Sequence, residues 1–311
     1  MLIEGKWSGD WHPVQAKDKK GGFVRQQSTF RNFVTPDGEN GFKAEAGRYH
    51  LYVALICPWA SRTLAARKLK GLEDAISVSV VEPELGAEGW RFAEGADAVN
   101  GARYIHEIYT QADPFYTGRA TVPALWDKQQ ETIVNNESAD ILRIFNTGFG
   151  ALARNDVDLY PEDLRRDIDA LNEAVYHKLN NGVYRCGFAT TQVAYEEAYH
   201  GVFEMLDELE KRLGKGPYLF GDRLTEADIR LFVTLIRFDA AYYGLFKANL
   251  RRIVDYPNLA AYQARLLEIP AFRETVNISH IKRGYYSIKS LNPSGIVPLG
   301  PEGPVLEAMG I

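Results

Sequence analysis

Residues Arg48–Gly71 read RYHLYVALICPWASRTLAARKLKG, and this stretch decides the fold. RYHLYVA (Arg48–Ala54) is rich in strand-forming residues and becomes apolar toward its end, which predicts a strand. Cys57 and Pro58 follow. Proline suits the first helical position, where its missing N–H is no loss. Leu64, Ala65 and Leu69 keep helical spacing, and Gly71 is a natural stop. Cys57 therefore stands at a helix N-terminus, where unpaired N–H groups and the dipole favour a thiolate, the reactive form of the side chain. The bland alternative is a buried packing cysteine. Strand–Cys–Pro–helix is not a usual core arrangement, so Cys57 is the leading candidate for chemistry.

Downstream, Ala75–Val81 (AISVSVV) alternates and predicts a second strand. A polar and aromatic insertion spans about 82–118. TVPALWD and ETIVNNES then predict two short strands joined by Lys128-Gln129-Gln130. Ser138 opens an amphipathic helix (SADILRIFN), with the serine as its cap. The X-Pro bond of Val122-Pro123 is a candidate cis peptide. The order strand, helix, strand, insertion, strand, strand, helix is α/β.

Beyond about Asn155 the period changes from 2 to 3.6, which puts a domain boundary between about 147 and 160. Long helices are expected over Glu162–Asn180, Ala194–Leu213, Thr225–Tyr243 and Asn258–Leu267. Thr225 and Asp228 make a capping box ahead of an apolar run. SLNPSGIVPLGPEGP has four prolines and predicts an extended tail. At the other end, residues 1–45 lack periodicity but carry Trp7, Trp11, Phe23, Phe30 and Phe33, so an irregular extension packed through its aromatics is expected, with a mobile tail as the alternative. The resulting division is 1–45 extension, 46–150 α/β domain, 151–290 helical domain and 291–311 tail.

Composition narrows the function. Lys and Arg number 36 against 41 Asp and Glu, a net charge of −5, which argues against a nucleic-acid-binding protein. The longest apolar run, Leu51–Cys57, is far short of the roughly 18 residues of a membrane span. The N-terminus has no apolar stretch of the signal-peptide kind, so a cytoplasmic location is the default. Two cysteines, Cys57 and Cys186, exclude a disulfide framework. The six histidines show no metal-binding spacing, so no metal is expected. Gly148-x-Gly150-x-x-Ala153 follows a helix rather than a strand and is rejected as a dinucleotide fingerprint.

The residue three after Cys57 is Ala60, so no resolving thiol stands beside it in sequence and an external thiol must discharge any mixed disulfide. Cys186 is read as packing rather than as a resolving thiol. Glu137-Ser138, between a strand and a helix, suits either a zwitterionic ligand end or ordinary capping. Among 17 tyrosines, Tyr184, Tyr195, Tyr242, Tyr243, Tyr285 and Tyr286 are candidates to line a cleft as hydrogen-bond donors or acids. Packing is the usual reading of any one of them.

Together these residues resemble the glutathione transferase superfamily: a Cys-Pro-x-Ala site on a thioredoxin-like unit, a Val-Pro turn, Glu-Ser, and a helical half carrying GPYLFGDRLTEADIRLF. More narrowly, the chain is similar to the Xi class, the glutathionyl-hydroquinone reductases. Cys57-Pro58-Trp59-Ala60, the insertion with GWRF and NGARYIHEIY, RATVPALWD, NNESADILRIFN, NNGVYRCGFA, RFDAAYYGLFKANLRRI, DYPNL and the closing HIKRGYYSIKSLNPSGIVPLGP carry the likeness over almost the whole chain. The resemblance implies Cys57 as nucleophile. It implies a glutathione site at Trp90, Arg119, Ala120, Thr121, Val122, Glu137 and Ser138. Tyr184 matches the proton donor or acceptor, and Tyr242 and Tyr285 match tyrosines supporting the thiolate, with Tyr243 and Tyr286 one register step away. Glutathione as co-substrate, a glutathionyl-hydroquinone substrate and a homodimer are implied too. A broader Omega-like thioltransferase or dehydroascorbate reductase needs the same Cys57, and a non-enzymatic interaction module is the reading from another class.

Overall fold

Two short antiparallel pairs open the chain, β1 (Leu2–Ile3) with β2 (Lys6–Trp7) and β3 (Ala16–Lys17) with β4 (Phe23–Val24). The computed structural model describes residues 1–9 and 16–303; Trp11 and the tail from residue 304 on lie outside the described residues. Contacts divide them into two units. One holds 1–9 and 26–158, the other 16–25 and 159–303.

The first unit is a thioredoxin-like domain built on a four-stranded sheet. Its strands are β5 (Tyr49–Val53), β6 (Ile76–Val80), β7 (Ala124–Asp127) and β8 (Thr132–Asn135), in the order β6-β5-β7-β8. β5 and β6 are parallel, as a crossover through α1 (Pro58–Leu69) requires, and the other pairs are antiparallel. β5 is buried along its whole length, which is why its sequence is nearly unbroken in apolar character. Pro123 has no N–H to give to a ladder, and the strand begins after it. Arg48 and Asp127 lock β5 to β7 with a buried fork, Nε 3.0 Å from both carboxylate oxygens. Asp127 also accepts from the Gln129 N–H at 2.8 Å, and so builds the turn that follows it.

The expected helix at Ser138 is present as α3 (Ser138–Arg143), packed on α1, but its cap is different. Glu137 is the capping residue and accepts from the Ala139 N–H, while Ser138 is already helical. The insertion contains a helix that local pattern did not announce, α2 (Ile105–Ala112), which packs on β8. Asp97 organises the loop ahead of it, accepting from the Tyr52 hydroxyl at 3.0 Å and the Ala102 N–H at 3.0 Å. In the extension, Trp7 stacks on His106 at 4.7 Å and Phe30 on Tyr116 at 5.8 Å.

The second unit is helical: α4 (Arg165–Val175), α5 (Gly182–Gly187), α6 (Gln192–Leu213), α7 (Glu226–Arg237), α8 (Tyr243–Leu245), α9 (Pro257–Glu268), α10 (Pro270–Arg273) and α11 (Ile278–Tyr286). Two of the expected long helices are interrupted. The one over Glu162–Asn180 begins as a 3-10 turn and ends as a π turn, Tyr176–Asn180. The one over Thr225–Tyr243 passes through a π turn, Phe238–Tyr242, into α8. After Tyr286 no helix or strand follows among the described residues. No helix of the described residues is long and apolar enough to cross a membrane, and none of their His, Cys, Asp and Glu side chains form a group of three that could hold a metal ion.

The capping box ahead of α7 is fully buried. Asp228 accepts from the N–H and hydroxyl of Thr225 at 2.8 and 3.1 Å, from the Leu219 N–H at 3.0 Å and from the Tyr262 hydroxyl at 2.9 Å. Burial pushes its carboxyl above the ordinary range, and the donors act against that push. Asp228→Ala leaves several buried donors unpaired and removes a cap. The expected loss is about 3 kcal/mol or more of unfolding free energy, read by urea denaturation. A loss under about 1 kcal/mol would show that these donors find other partners.

Candidate active site

Cys57 sits where the sheet hands over to α1. Its backbone is extended (φ −75°, ψ 117°), and Pro58 occupies the first helical position. The side chain is half-exposed, and Sγ donates to the Val122 carbonyl at 3.5 Å. The Val122-Pro123 peptide is cis. The strand end thus supplies the sulfur, and the approach to β7 supplies a backbone acceptor beside it. A second thiol in this unit is absent by sequence, since the only other cysteine is Cys186.

The neighbouring positions are tied down by residues that local sequence did not single out. Tyr109 of α2 is fully buried. Its hydroxyl donates to the Thr121 carbonyl at 2.9 Å and accepts from the Asn136 amide at 3.0 Å. One phenol therefore fixes both the strand approach that carries Thr121 and Val122 and the turn that carries Glu137. Burial pushes that phenol up to about 12, so it stays a neutral donor. Arg119 has its N–H on Gln26 Oε1 at 3.2 Å and its carbonyl under the Tyr116 hydroxyl at 3.3 Å. Ala120 is buried. Trp90 lies in the insertion with its side chain buried and its carbonyl accepting from Ile105.

Glu137 and Ser138 are joined to α1. Glu137 Oε2 accepts from the Ser28 hydroxyl at 3.0 Å, and Oε1 accepts from the Ala139 N–H at 3.1 Å. Buried Arg62 reaches the Ser138 hydroxyl at 3.5 Å and stacks its guanidinium on Trp59, 4.4 Å from the ring centroid. Helix α1 thereby carries Cys57 at its start and a cation beside Ser138 one and a half turns later. Ser28, Arg62, Asn136 and Tyr109 act only through tertiary contacts, so no local signal marked them.

In the helical unit, Tyr184, Tyr242 and Tyr285 form one hydrogen-bonded cluster. Tyr285 stands at its centre, 2.6 Å from the Tyr184 hydroxyl and 2.9 Å from that of Tyr242. Phe246 stacks on Tyr242 at 5.2 Å and packs against Tyr184 at 5.3 Å. Tyr242 and Tyr285 make this cluster with Tyr184, while Tyr243 and Tyr286 are only half-buried. Burial, with the charge of Tyr184 next, holds the phenols of Tyr242 and Tyr285 well above their ordinary value. A π turn stands before each of two members: Tyr176–Asn180 precedes α5 with Tyr184, and Phe238–Tyr242 ends on Tyr242. Such turns recur at functional sites. Tyr195 lies elsewhere on the unit, its hydroxyl on the Lys247 carbonyl at 2.7 Å. Cys186 is buried, and burial pushes its thiol up to about 12, which fits packing and not thiolate chemistry.

Residues 56–147 match the glutathione S-transferase N-terminal domain family, and residues 192–265 match the C-terminal domain family. The chain is 51% identical over 310 residues to the glutathionyl-hydroquinone reductase PcpF of Sphingobium chlorophenolicum, covering 98% of this chain and 97% of that protein. The glutathione S-transferase Xi of Phanerochaete chrysosporium superposes with a TM-score of 0.89 at 50% identity, covering 92% of this chain and 95% of that one. The glutathione-bound structure of YqjG from Escherichia coli K-12 gives 0.89 at 47% identity, covering 98% and 96%.

Proposed function

We propose the reaction below on the premise that this chain belongs to the glutathione S-transferase family, in its Xi class. It is a glutathione-dependent oxidoreductase that reduces glutathionyl-hydroquinones to hydroquinones. A single half-exposed thiol, Cys57, at the start of α1 with Ala60 where a second thiol would stand supports the glutathione-dependent thiol chemistry, and the 51% identity to PcpF over nearly the whole chain carries the hydroquinone substrate.

The Cys57 thiolate attacks the sulfur of the bound glutathionyl group, forming an S–S bond and breaking the bond from that sulfur to the ring. The electron pair of the broken bond goes to the ring carbon. An aryl carbanion is a poor leaving group, so the ring first takes the ketone tautomer, with a proton on the carbon that bears sulfur. The carbon then leaves as an enolate, which becomes the free hydroquinone by taking one proton at oxygen. Tyr184 shuttles the proton between ring oxygen and ring carbon, and Tyr242 and Tyr285 support the chemistry as neutral donors. A second glutathione thiolate attacks the mixed disulfide, releasing glutathione disulfide and restoring the Cys57 thiolate. In sum, one glutathionyl-hydroquinone and one glutathione give one hydroquinone and one glutathione disulfide.

Glutathione lies along the residues of the first unit. Val122 meets its cysteinyl backbone, with Thr121, Ala120, Arg119 and Trp90 around it, and Glu137 and Ser138 take its γ-glutamyl end, the amine on the Glu137 carboxylate. Glu137→Gln keeps an oxygen to cap α3 but removes the charge. It is expected to raise KM for glutathione about ten-fold with little change in kcat, by steady-state kinetics. An unchanged KM would assign Glu137 to capping alone. The cycle consumes reduced glutathione, which fits a reducing compartment such as the cytoplasm, and the family likeness supports a homodimer, which light scattering would test.

The test of the reaction is turnover of a glutathionyl-hydroquinone with excess glutathione. Free hydroquinone with stoichiometric glutathione disulfide is expected. Turnover of a simple glutathione mixed disulfide alone would favour a general thioltransferase. Inactivity on both would favour a binding module.

A further inference from the structure

Residues 16–25 pack with the helical unit although they lie far from it in sequence. β3 and β4 pair Ala16 with Val24 and Lys17 with Phe23. Asp18 closes the turn, accepting from the N–H groups of Lys20 and Gly22 at 2.8 and 2.9 Å. The segment after α5 fastens this hairpin: the Thr190 N–H donates to the Gly21 carbonyl at 3.2 Å and the Thr191 hydroxyl to the Lys20 carbonyl at 2.6 Å. Phe23 is buried against Phe188, with centroids 5.8 Å apart. The hairpin ends by laying Arg25 over the ring of Tyr184, 4.8 Å from its centroid, with Nε donating to Asn181 Oδ1 at 3.1 Å.

Asn181 joins the π turn Tyr176–Asn180 to α5, the helix that carries Tyr184. The helical backbone runs on from the π turn through Asn181 into α5, so the helix itself gives no reason for a guanidinium there. The ring does. A cation over an aromatic face is attracted to its π electrons, and the attraction grows when a phenol loses its proton and the charge spreads into the ring. The charged and titratable groups set against the cluster are Arg25 from the hairpin, Tyr285 from α11, Tyr242 from the π turn, and Arg237 at the end of α7, whose charge acts on Tyr242 and Tyr285. Phe188 and Phe246 close other sides of Tyr184. Tyr184 is the cluster member that is not fully buried and the one under a cation.

We propose that Arg25 is a positioning residue for hydroquinone cleavage: it seats Tyr184 and makes it the phenol of the cluster that gives up and takes back the proton. This rests on the reaction proposed above. The step it serves is the tautomerisation, in which one proton leaves the ring hydroxyl for the Tyr184 oxygen and one passes from that oxygen to the ring carbon, with no net change in electrons or protons.

The experiment compares pH profiles of hydroquinone release for wild type, Arg25→Met and Arg25→Lys, beside turnover of a small glutathione mixed disulfide. Arg25→Met is expected to lower kcat/KM for the glutathionyl-hydroquinone about ten-fold at neutral pH, and to move the rising limb about one pH unit alkaline, because an uncompensated phenol ionises later. Arg25→Lys, which returns a cation, is expected to recover most of both. Turnover of the mixed disulfide, which needs no proton at carbon, is expected to change less than about three-fold. A limb that does not move, or an equal loss on both substrates, would mean that Arg25 only fastens the hairpin. A wild type that releases no hydroquinone would overturn the underlying reaction instead, and the two failures are distinct.

Discussion

Cys57→Ser is expected to lower hydroquinone release by about 10³-fold or more, with the folded protein intact. A serine hydroxyl at neutral pH is scarcely ionised, and the N-terminus of α1 cannot compensate for that many pH units. The second half of the cycle fails as well, since oxygen forms no disulfide for glutathione to attack. The substitution is nearly isosteric, and the side chain is half-exposed, with a hydrogen bond to the Val122 carbonyl that a hydroxyl can also make. Loss of stability is therefore expected to stay within about 1 kcal/mol, and thermal unfolding of the variant checks it. Mass spectrometry supplies the complementary observation. Wild type given glutathionyl-hydroquinone without free glutathione is expected to stop with one glutathionyl group on Cys57, and the serine variant with none. A variant retaining a tenth of the activity would show that the thiolate is not the nucleophile.

How much of this was legible beforehand depends on the range of the forces involved. The β5–Cys57–α1 unit was readable because a continuous apolar strand, a proline at the first helical position and Gly71 at φ +63° are all local signals. Serine is the commoner cap and so points to Ser138, whereas the Glu137 carboxylate, one residue earlier, reaches the Ala139 N–H. Tyr242 and Tyr243 were indistinguishable because a π turn widens the helix over Phe238–Tyr242 and breaks the 3.6-residue phase used to assign faces. Helix α5 leaves little local signal because Gly182 and Gly187 weaken a helical pattern. Gly187 is explained only by tertiary packing: a Cβ there would lie 2.4 Å from the Phe246 ring, the ring that stacks on Tyr242. The hairpin that delivers Arg25 has two-residue strands, too short for any period to register, and its partners lie about 170 residues downstream. The roles proposed for the tyrosines rest on the family resemblance, and their mutual geometry on tertiary packing.

That geometry carries the second large effect. Tyr285 has a single proton and two phenolic neighbours, so it donates to at most one of them, and the Tyr242 hydroxyl also faces that of Tyr184. Tyr242 and Tyr285 are fully buried and held neutral by that burial, which leaves the less buried Tyr184 as the end of the chain where a proton can be exchanged. With Tyr242 donating to Tyr285 and Tyr285 to Tyr184, the Tyr184 oxygen is stabilised when it gives up its proton. Tyr184→Phe removes that oxygen but keeps the ring that packs on Phe246 and lies beneath Arg25. It is expected to lower kcat/KM for the glutathionyl-hydroquinone by about 10²-fold, the scale of a positioned acid–base group. The loss on a simple glutathione mixed disulfide is expected to be at least about ten-fold smaller, because a thiolate leaves without a proton at carbon. Tyr285→Phe, which removes one hydrogen-bond partner of Tyr184 but keeps the Tyr184 oxygen, is expected to cost about ten-fold, the worth of one hydrogen bond to a charged group. A solvent hydrogen isotope effect on hydroquinone release would mark proton transfer as limiting in wild type. Parallel, equal losses on both substrates would instead place the cluster's role at the Cys57 thiolate and remove Tyr184 from the proton step.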